Sequence, residues 1–220
     1  MERALVVGSS GGIGSALVSS LESRGVRVTG LSRRIDGMDV SDARSVERAF
    51  AKLQRPFDLV VVATGILSAE GGTPEKSLSA INASDMMHLY AVNAVGPALI
   101  LKEVPRLLPK SGSSVVAVLT ARVGSIGDNQ LGGWYSYRAS KAAANQIVRT
   151  AAIEIGRKRK ESIVVALHPG TVATRFTEGY PAHRKVSPHR AAGNLLGVLE
   201  SLTPKQSGQF FDGEGEEVPW

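Results

Sequence analysis

Tyr137 and Lys141 stand four residues apart in WYSYRASKAAANQIVRTAAIEIG, a run that reads as one long helix. Residues at that spacing share a helix face, so a phenol and an ammonium there can serve one site. A nearby cation favours the phenolate and is expected to lower the Tyr137 pKa. Tyr137 would then give and take protons near neutral pH. Such pairs are common on helices, so the chemical reading depends on the elements that position this one.

A second cluster opens the chain. GSSGGIG, running through Gly8, Ser10, Gly12, Ile13 and Gly14, follows the apolar strand Arg3–Val7 and leads into a helical pattern over Ile13–Arg24. Glycine permits the tight turn and close backbone approach, and a helix N-terminus offers free N–H groups to a pyrophosphate. The spacing is G-x-x-x-G-x-G rather than the G-x-G-x-x-G of many dinucleotide sites. Enzymes that prefer NAD place an acid at the end of the second strand for the ribose hydroxyls. This chain has Ser32 there, followed by Arg33 and Arg34. A guanidinium pairs with a 2′-phosphate, so NADP(H) is expected in preference to NAD(H).

Further strands are predicted at Val26–Leu31, Phe57–Val62, Ser114–Leu119, Ser162–Leu167 and Gln209–Phe211. Helices are predicted at Asp42–Leu53, capped by Ser41, at Ala83–Leu108, kinked or divided by Pro97 and Pro105, and at Pro188–Ser201. FDLVVV and SVVAVL have the near-continuous apolar character of strands buried on both faces. The alternation predicts an α/β chain: one Rossmann domain over residues 1–220, a doubly wound parallel sheet with helices on both faces. Two long loops, Ser68–Ala80 and Gly170–Val186, follow strand ends, where such sheets bind ligands.

Composition narrows the classes. At 220 residues and 43% hydrophobic, the chain can bury one sizeable core. It has no cysteine, which removes disulfides and thiolate metal sites. Its four histidines lack metal-ligand spacing, so no metal is expected, and His168 reads as an in-place histidine bonded to backbone. No apolar run suits a signal peptide or a membrane span, and a soluble cytoplasmic protein is expected. The net charge of +6 raises nucleic acid as a partner. Yet the densest basic run, Arg157-Lys158-Arg159-Lys160, ends the long helix and complements its dipole, with no aromatic residues interleaved. No nucleic-acid partner is expected. A second basic cluster, His183-Arg184-Lys185 with His189-Arg190, falls in or beside the later long loop.

From Val6 to about Thr174 these features resemble the short-chain dehydrogenase/reductase family. Gly8-x-x-x-Gly12-Ile13-Gly14 resembles its glycine motif, with Val7 where the family usually has threonine. Asp39-Val40 resembles the pair that contacts adenine, and Ala63-Thr64-Gly65 replaces the family's Asn-Ala-Gly. Asn93 in VNAVGP and Tyr137-x-x-x-Lys141 resemble the catalytic set. Pro169-Gly170-x-Val172-x-Thr174 is similar to the segment that clasps the nicotinamide carboxamide. ARVGSIGDNQLGGWYSYRASKAA and FFDGEGEEVPW look most like the C-factor-like and sniffer-type carbonyl reductases.

One departure concerns the family's catalytic serine, whose place is taken by Ala121 in Leu119-Thr120-Ala121. Ser125 could supply the hydroxyl that polarises a carbonyl, or could cap its loop; Thr120 is the weaker stand-in. The resemblance implies hydride transfer between NADP(H) and a small carbonyl or alcohol, with Tyr137 moving the proton. Lys141 would bond the nicotinamide ribose, and Asn93 would hold a relay water or, alternatively, satisfy backbone at a helix bend. It further implies a homodimer or homotetramer. Trp134 and Tyr135 flank the site and either line the substrate mouth or pack in the core or an interface, and the aromatic and basic mix after Pro169 suggests a small, anionic carbonyl. A dinucleotide-binding sensor with little turnover is the alternative, supported by Ala121 and opposed by the intact Asn93, Tyr137 and Lys141.

Overall fold

The structure, a computed structural model, describes residues 1–70, 72–180 and 184–220. His183 of the second basic cluster lies outside the described residues. Strands β1 (Arg3–Val7), β2 (Arg27–Leu31), β3 (Leu59–Val62), β4 (Ser114–Leu119), β5 (Ser162–His168) and β6 (Phe210–Asp212) form one sheet. The strand order is β2-β1-β3-β4-β5-β6, and every pairing is parallel. Helices α1 (Gly12–Glu22), α2 (Arg33–Asp36), α3 (Ala43–Ala51), α4 (Ala83–Tyr90), α5 (Gly96–Glu103), α6 (Tyr135–Lys158) and α7 (Pro188–Ser201) connect them.

The period-two pleat sorts the apolar strand residues into two cores. Leu5, Val7, Val60, Val62, Val116, Val118, Val164 and Ala166 pack with Phe50 of α3, Ile100 of α5 and Val148, Ala152 and Ile155 of α6. Their chain neighbours Ala4, Val6, Leu59, Val61, Val115, Ala117, Ile163 and Val165 pack with Leu17 of α1 and Leu195 and Leu199 of α7. Both faces are therefore covered, which is why these strands carry no polar alternation.

Three sequence expectations shift. The cap of α3 is Asp42, whose carboxylate accepts the Arg44 N–H at 2.9 Å, while the Ser41 hydroxyl donates to Asp39 at 2.7 Å. Phe57 precedes β3 rather than starting it; its N–H donates to the Leu107 carbonyl. Finally, Pro97 does not divide its helical run. The path passes from α4 through a wider π turn, Ala91–Val95, directly into α5, where Pro97 sits in the first turn.

The chain leaves β1 for β2 on one side and returns to β3 on the other. That places a topological switch at the C-terminal ends of β1 and β3. The segments after β1, β3, β4 and β5 all emerge along this edge.

Candidate active site

The glycine turn after β1 is built by contact. Gly8 has φ +90°, and a Cβ on it would fall 2.7 Å from the Ala63 carbonyl oxygen at the end of β3. A Cβ on Gly14 would fall 2.1 Å from the Gly8 oxygen, and one on Gly12 would meet the Thr174 methyl at 2.4 Å. The turn is thus closed on itself and pressed against the segment after β5. Helix α1 starts at Gly12 with no side-chain cap and no acid in its first turn. Its free N–H groups and positive dipole end are left for an anion.

At the end of β2, Ser32 is buried and caps α2: its hydroxyl accepts from Ile35 N–H, and its own N–H donates to Asp36 at 2.9 Å. Arg33 and Arg34 on α2 are exposed. Asp39 accepts both the hydroxyl and the N–H of Ser41, which together hold its carboxyl below the usual range, and the Arg33 charge adds to this. Val40 lies beneath Gly96 of α5, whose added Cβ would meet Val40 at 3.0 Å.

Deeper along the same edge lie the residues that could do chemistry. Lys141 Nζ sits 5.9 Å from the centre of the Tyr137 ring and donates to the Leu119 carbonyl at 3.1 Å. Asn93, fully buried in the π turn, accepts from Ile66 N–H and donates to the Ile66 carbonyl, both at 2.8 Å. It also donates to Ser140 Oγ, which in turn donates to the Tyr137 carbonyl. Gly65 is the hub: a Cβ there would lie 3.1 Å from Lys141 Nζ and 3.3 Å from Asn93 Oδ1. The structure therefore brings Asn93, Tyr137, Lys141 and Gly65 together. The Asn93 side chain does what a helix-bend asparagine does and binds backbone.

Electrostatics differ from the expectation set by sequence. Burial pushes the Tyr137 phenol up, well beyond its ordinary value, and pushes Lys141 down to about 8. Desolvation is the cause of both shifts, and the phenol rises where the nearby cation suggested a fall. His168, at the end of β5, falls to about 4, chiefly through burial and then through the Arg122 charge. Its Nδ1 finds no hydrogen-bond partner among the described residues, in place of the backbone bond expected for it.

Ser125 is buried, accepts the Asp128 N–H at 3.0 Å and donates to the Trp220 carbonyl. Its hydroxyl is engaged in the loop-capping role. The Thr120 hydroxyl, by contrast, is buried with no partner among the described residues, as is that of Thr64. Around Tyr137 the walls are apolar: Leu89 and Ala121 are buried against it, with Ile66, Leu67, Val123 and Trp134 alongside. Trp134 meets the Tyr137 ring edge-on at 6.1 Å, and the Phe176 ring lies tilted to it at 6.0 Å. Tyr180 packs on Trp134 at 5.2 Å. Sequence reasoning missed Ser140, Phe176, Tyr180 and Glu75. Ser140 carried a signal, lying three residues from Tyr137 on one helix face; the others come from long loops with no local pattern.

A family model described as enoyl-(acyl carrier protein) reductase matches residues 7–209. The chain belongs to the short-chain dehydrogenase/reductase family and is an oxidoreductase of that family. It is 31% identical, over all of both chains, to the 1-hydroxy-2-glutathionyl-2-methyl-3-butene dehydrogenase of Rhodococcus sp. strain AD45. It is 38% identical to the C-signal protein of Myxococcus xanthus over 66% of this chain and 84% of that one. Among solved structures, a carbonyl reductase from Pseudomonas aeruginosa PAO1 in complex with NADP superposes with a TM-score of 0.82 at 25% identity, covering all of both chains.

Proposed function

We propose that this protein is an NADP(H)-dependent oxidoreductase that interconverts a small carbonyl compound and its alcohol, with Tyr137 as the proton donor and acceptor. The observation that carries the reading is the meeting of Asn93, Tyr137 and Lys141 around Gly65 at the sheet's switch edge. The uncapped start of α1, free of acids, fits a pyrophosphate. Gly8, Ser10, Gly12, Ile13 and Gly14 would hold that group, Ser32 and Arg33 the adenosine ribose and its phosphate, and Asp39 and Val40 the adenine. Ala63, Thr64 and Gly65, with Pro169, Gly170, Val172 and Thr174, would line the nicotinamide side. The NADP complex of the Pseudomonas reductase supports the choice of cofactor. Bound NADP(H) supplies the hydride chemistry.

The protein's own part is to place and protonate. The neutral phenol can give its proton to a carbonyl oxygen, and the phenolate can take it back in the reverse, alcohol-oxidising direction. The Lys141 ammonium, fixed on the Leu119 carbonyl, supplies the charge that supports the phenolate as the proton leaves. Asn93 is fixed through its side chain, and Pro97 lacks the N–H that would normally serve the Asn93 carbonyl. That carbonyl is the acceptor for a water relaying protons to Lys141. Ser125 or, as the weaker stand-in, Thr120, whose hydroxyl has no partner among the described residues, would polarise the carbonyl. Ala121 and the engaged Ser125 give the sensor reading its one specific support.

Titration of nicotinamide fluorescence with NADPH and NADH tests the reading. NADPH binds more tightly, and Arg33→Ala loses about 1–3 kcal/mol of that affinity, the range for a charged hydrogen bond. NADPH oxidation with a panel of aldehydes and ketones then separates enzyme from sensor: the reductase turns over, and Tyr137→Phe does not. Binding without turnover favours the sensor; absence of binding by both cofactors removes both readings.

A further inference from the structure

We propose that Glu75 is a positioning residue. From the loop after β3 it caps helix α6 and so sets the Trp134 indole as a wall of the substrate site. This rests on the reading of Tyr137 as the reacting group. Helix α6 is the longest in the chain, at 24 residues, and Tyr137 lies in its first turn. Its cap position is Trp134, which has φ +55° and contributes no side-chain hydrogen bond. Bulky residues seldom adopt this left-handed conformation, so something beyond local preference must hold it.

Glu75 does so at three points. Its backbone carbonyl accepts the Trp134 N–H at 2.5 Å. One carboxylate oxygen accepts the Ser136 N–H at 3.3 Å, and the other accepts the Ser136 hydroxyl. An anion here also answers the positive end of the α6 dipole. A Cβ on Gly133 would lie in ordinary van der Waals contact with the Glu75 carbonyl, at 3.5 Å. Arg138 secures the other flank, donating to the carbonyls of Gly132, Gly133 and Val123. With its backbone fixed from both sides, Trp134 can lie edge-on to Tyr137 and against Tyr180. The segments after β3, β4 and β5 thereby meet on one indole beside the reacting phenol.

The chain has two tryptophans, Trp134 and Trp220, so Trp220→Phe leaves Trp134 as a single reporter in the full-length protein. In that background, Glu75→Ala shifts Trp134 emission to the red and raises its quenching by iodide several-fold. Glu75→Gln, which keeps an acceptor for Ser136, restores most of both. Ser136→Ala, which loses the hydroxyl contact alone, gives a smaller change in the same direction and serves if Glu75→Ala fails to fold by circular dichroism. In turnover with NADPH and benzaldehyde as the probe, Glu75→Ala raises KM about tenfold with a smaller change in kcat, equivalent to ~1.4 kcal/mol. Unchanged emission and quenching in folded Glu75→Ala, or in folded Ser136→Ala where Glu75→Ala fails to fold, overturns the proposal, as does a loss confined to kcat. If the wild type shows no turnover, the reductase reading fails while the fluorescence measurement still decides whether Glu75 sets Trp134.

Discussion

Lys141 illustrates how burial shapes single residues here. Its ammonium is enclosed, with the Leu119 carbonyl as its acceptor, and its pKa falls from 10.5 to about 8. Between those two values the unfolded chain binds a proton that the folded chain does not. Stability therefore rises with pH across that window, and below about pH 8 the folded state carries a constant cost. Replacing the lysine with an apolar isostere removes the cost. Lys141→Met should be about 1–3 kcal/mol more stable than wild type at pH 7 by denaturant unfolding, with the gap closing as pH approaches 10.5. The same variant should lose turnover, because the charge that supports the phenolate is gone. In the wild type, kcat/KM for carbonyl reduction should fall as pH rises past about 8, where Lys141 loses its proton. A flat profile to pH 10 would show that the charge on Lys141 is not used.

At the scale of elements, the site is made by strand ends and helix starts that approach too closely for side chains. The turn between β1 and α1 tolerates no Cβ at Gly14, where the Gly8 oxygen would lie at 2.1 Å and backbone must shift. Gly14→Ala should therefore cost about 1–3 kcal/mol of stability, as overpacking does, and abolish the rise in Tm that NADPH gives the wild type. Gly156, in α6, meets nothing within 4 Å. Gly156→Ala should instead gain about 0.5–1 kcal/mol from helix propensity and keep the NADPH response. Differential scanning fluorimetry with and without NADPH reads both. The positions of these elements were largely legible: FDLVVV, SVVAVL and SIVVAL are near-continuous apolar runs, and β3 is the last four residues of the first, β4 the whole of the second and β5 the third extended by His168. The π turn at Ala91–Val95 was not. Proline signalled a break, yet the helical path continues because Asn93 is drawn to Ile66 across the fold, a contact 27 residues away.

For the whole molecule, both sheet faces are covered, but α4, the π turn and α6 leave Met87, Val95 and Ile153 exposed. We propose that the chain associates as a homodimer or homotetramer through this side, as family membership suggests. Light scattering at micromolar protein should give two or four times 23.2 kDa, and Ile153→Glu should lower it. A mass of one chain would overturn this. Among the described residues no helix is long and apolar enough to cross a membrane, and no group of three or more His, Asp or Glu side chains could hold a metal ion.

By itself the sequence determined the sheet, its helices and the residues that meet at the switch edge. The elements rested on local pattern: apolar strand runs, a glycine turn, Tyr137 and Lys141 one helical turn apart; Asn93 and the segment after β5 came from the family resemblance. Tertiary structure decided what those residues experience. Burial, which no local pattern encodes, raises the Tyr137 pKa where the nearby cation suggested a fall. Loop geometry engages the Ser125 hydroxyl and leaves that of Thr120 unpartnered. The apolar wall of Leu89, Ala121, Trp134 and Phe176 is drawn from the connections after β3, β4 and β5. Glu75 reaches Ser136 over 61 residues of chain. Desolvation and long-range contact depend on the packing of the entire domain, and so only the folded chain fixes them.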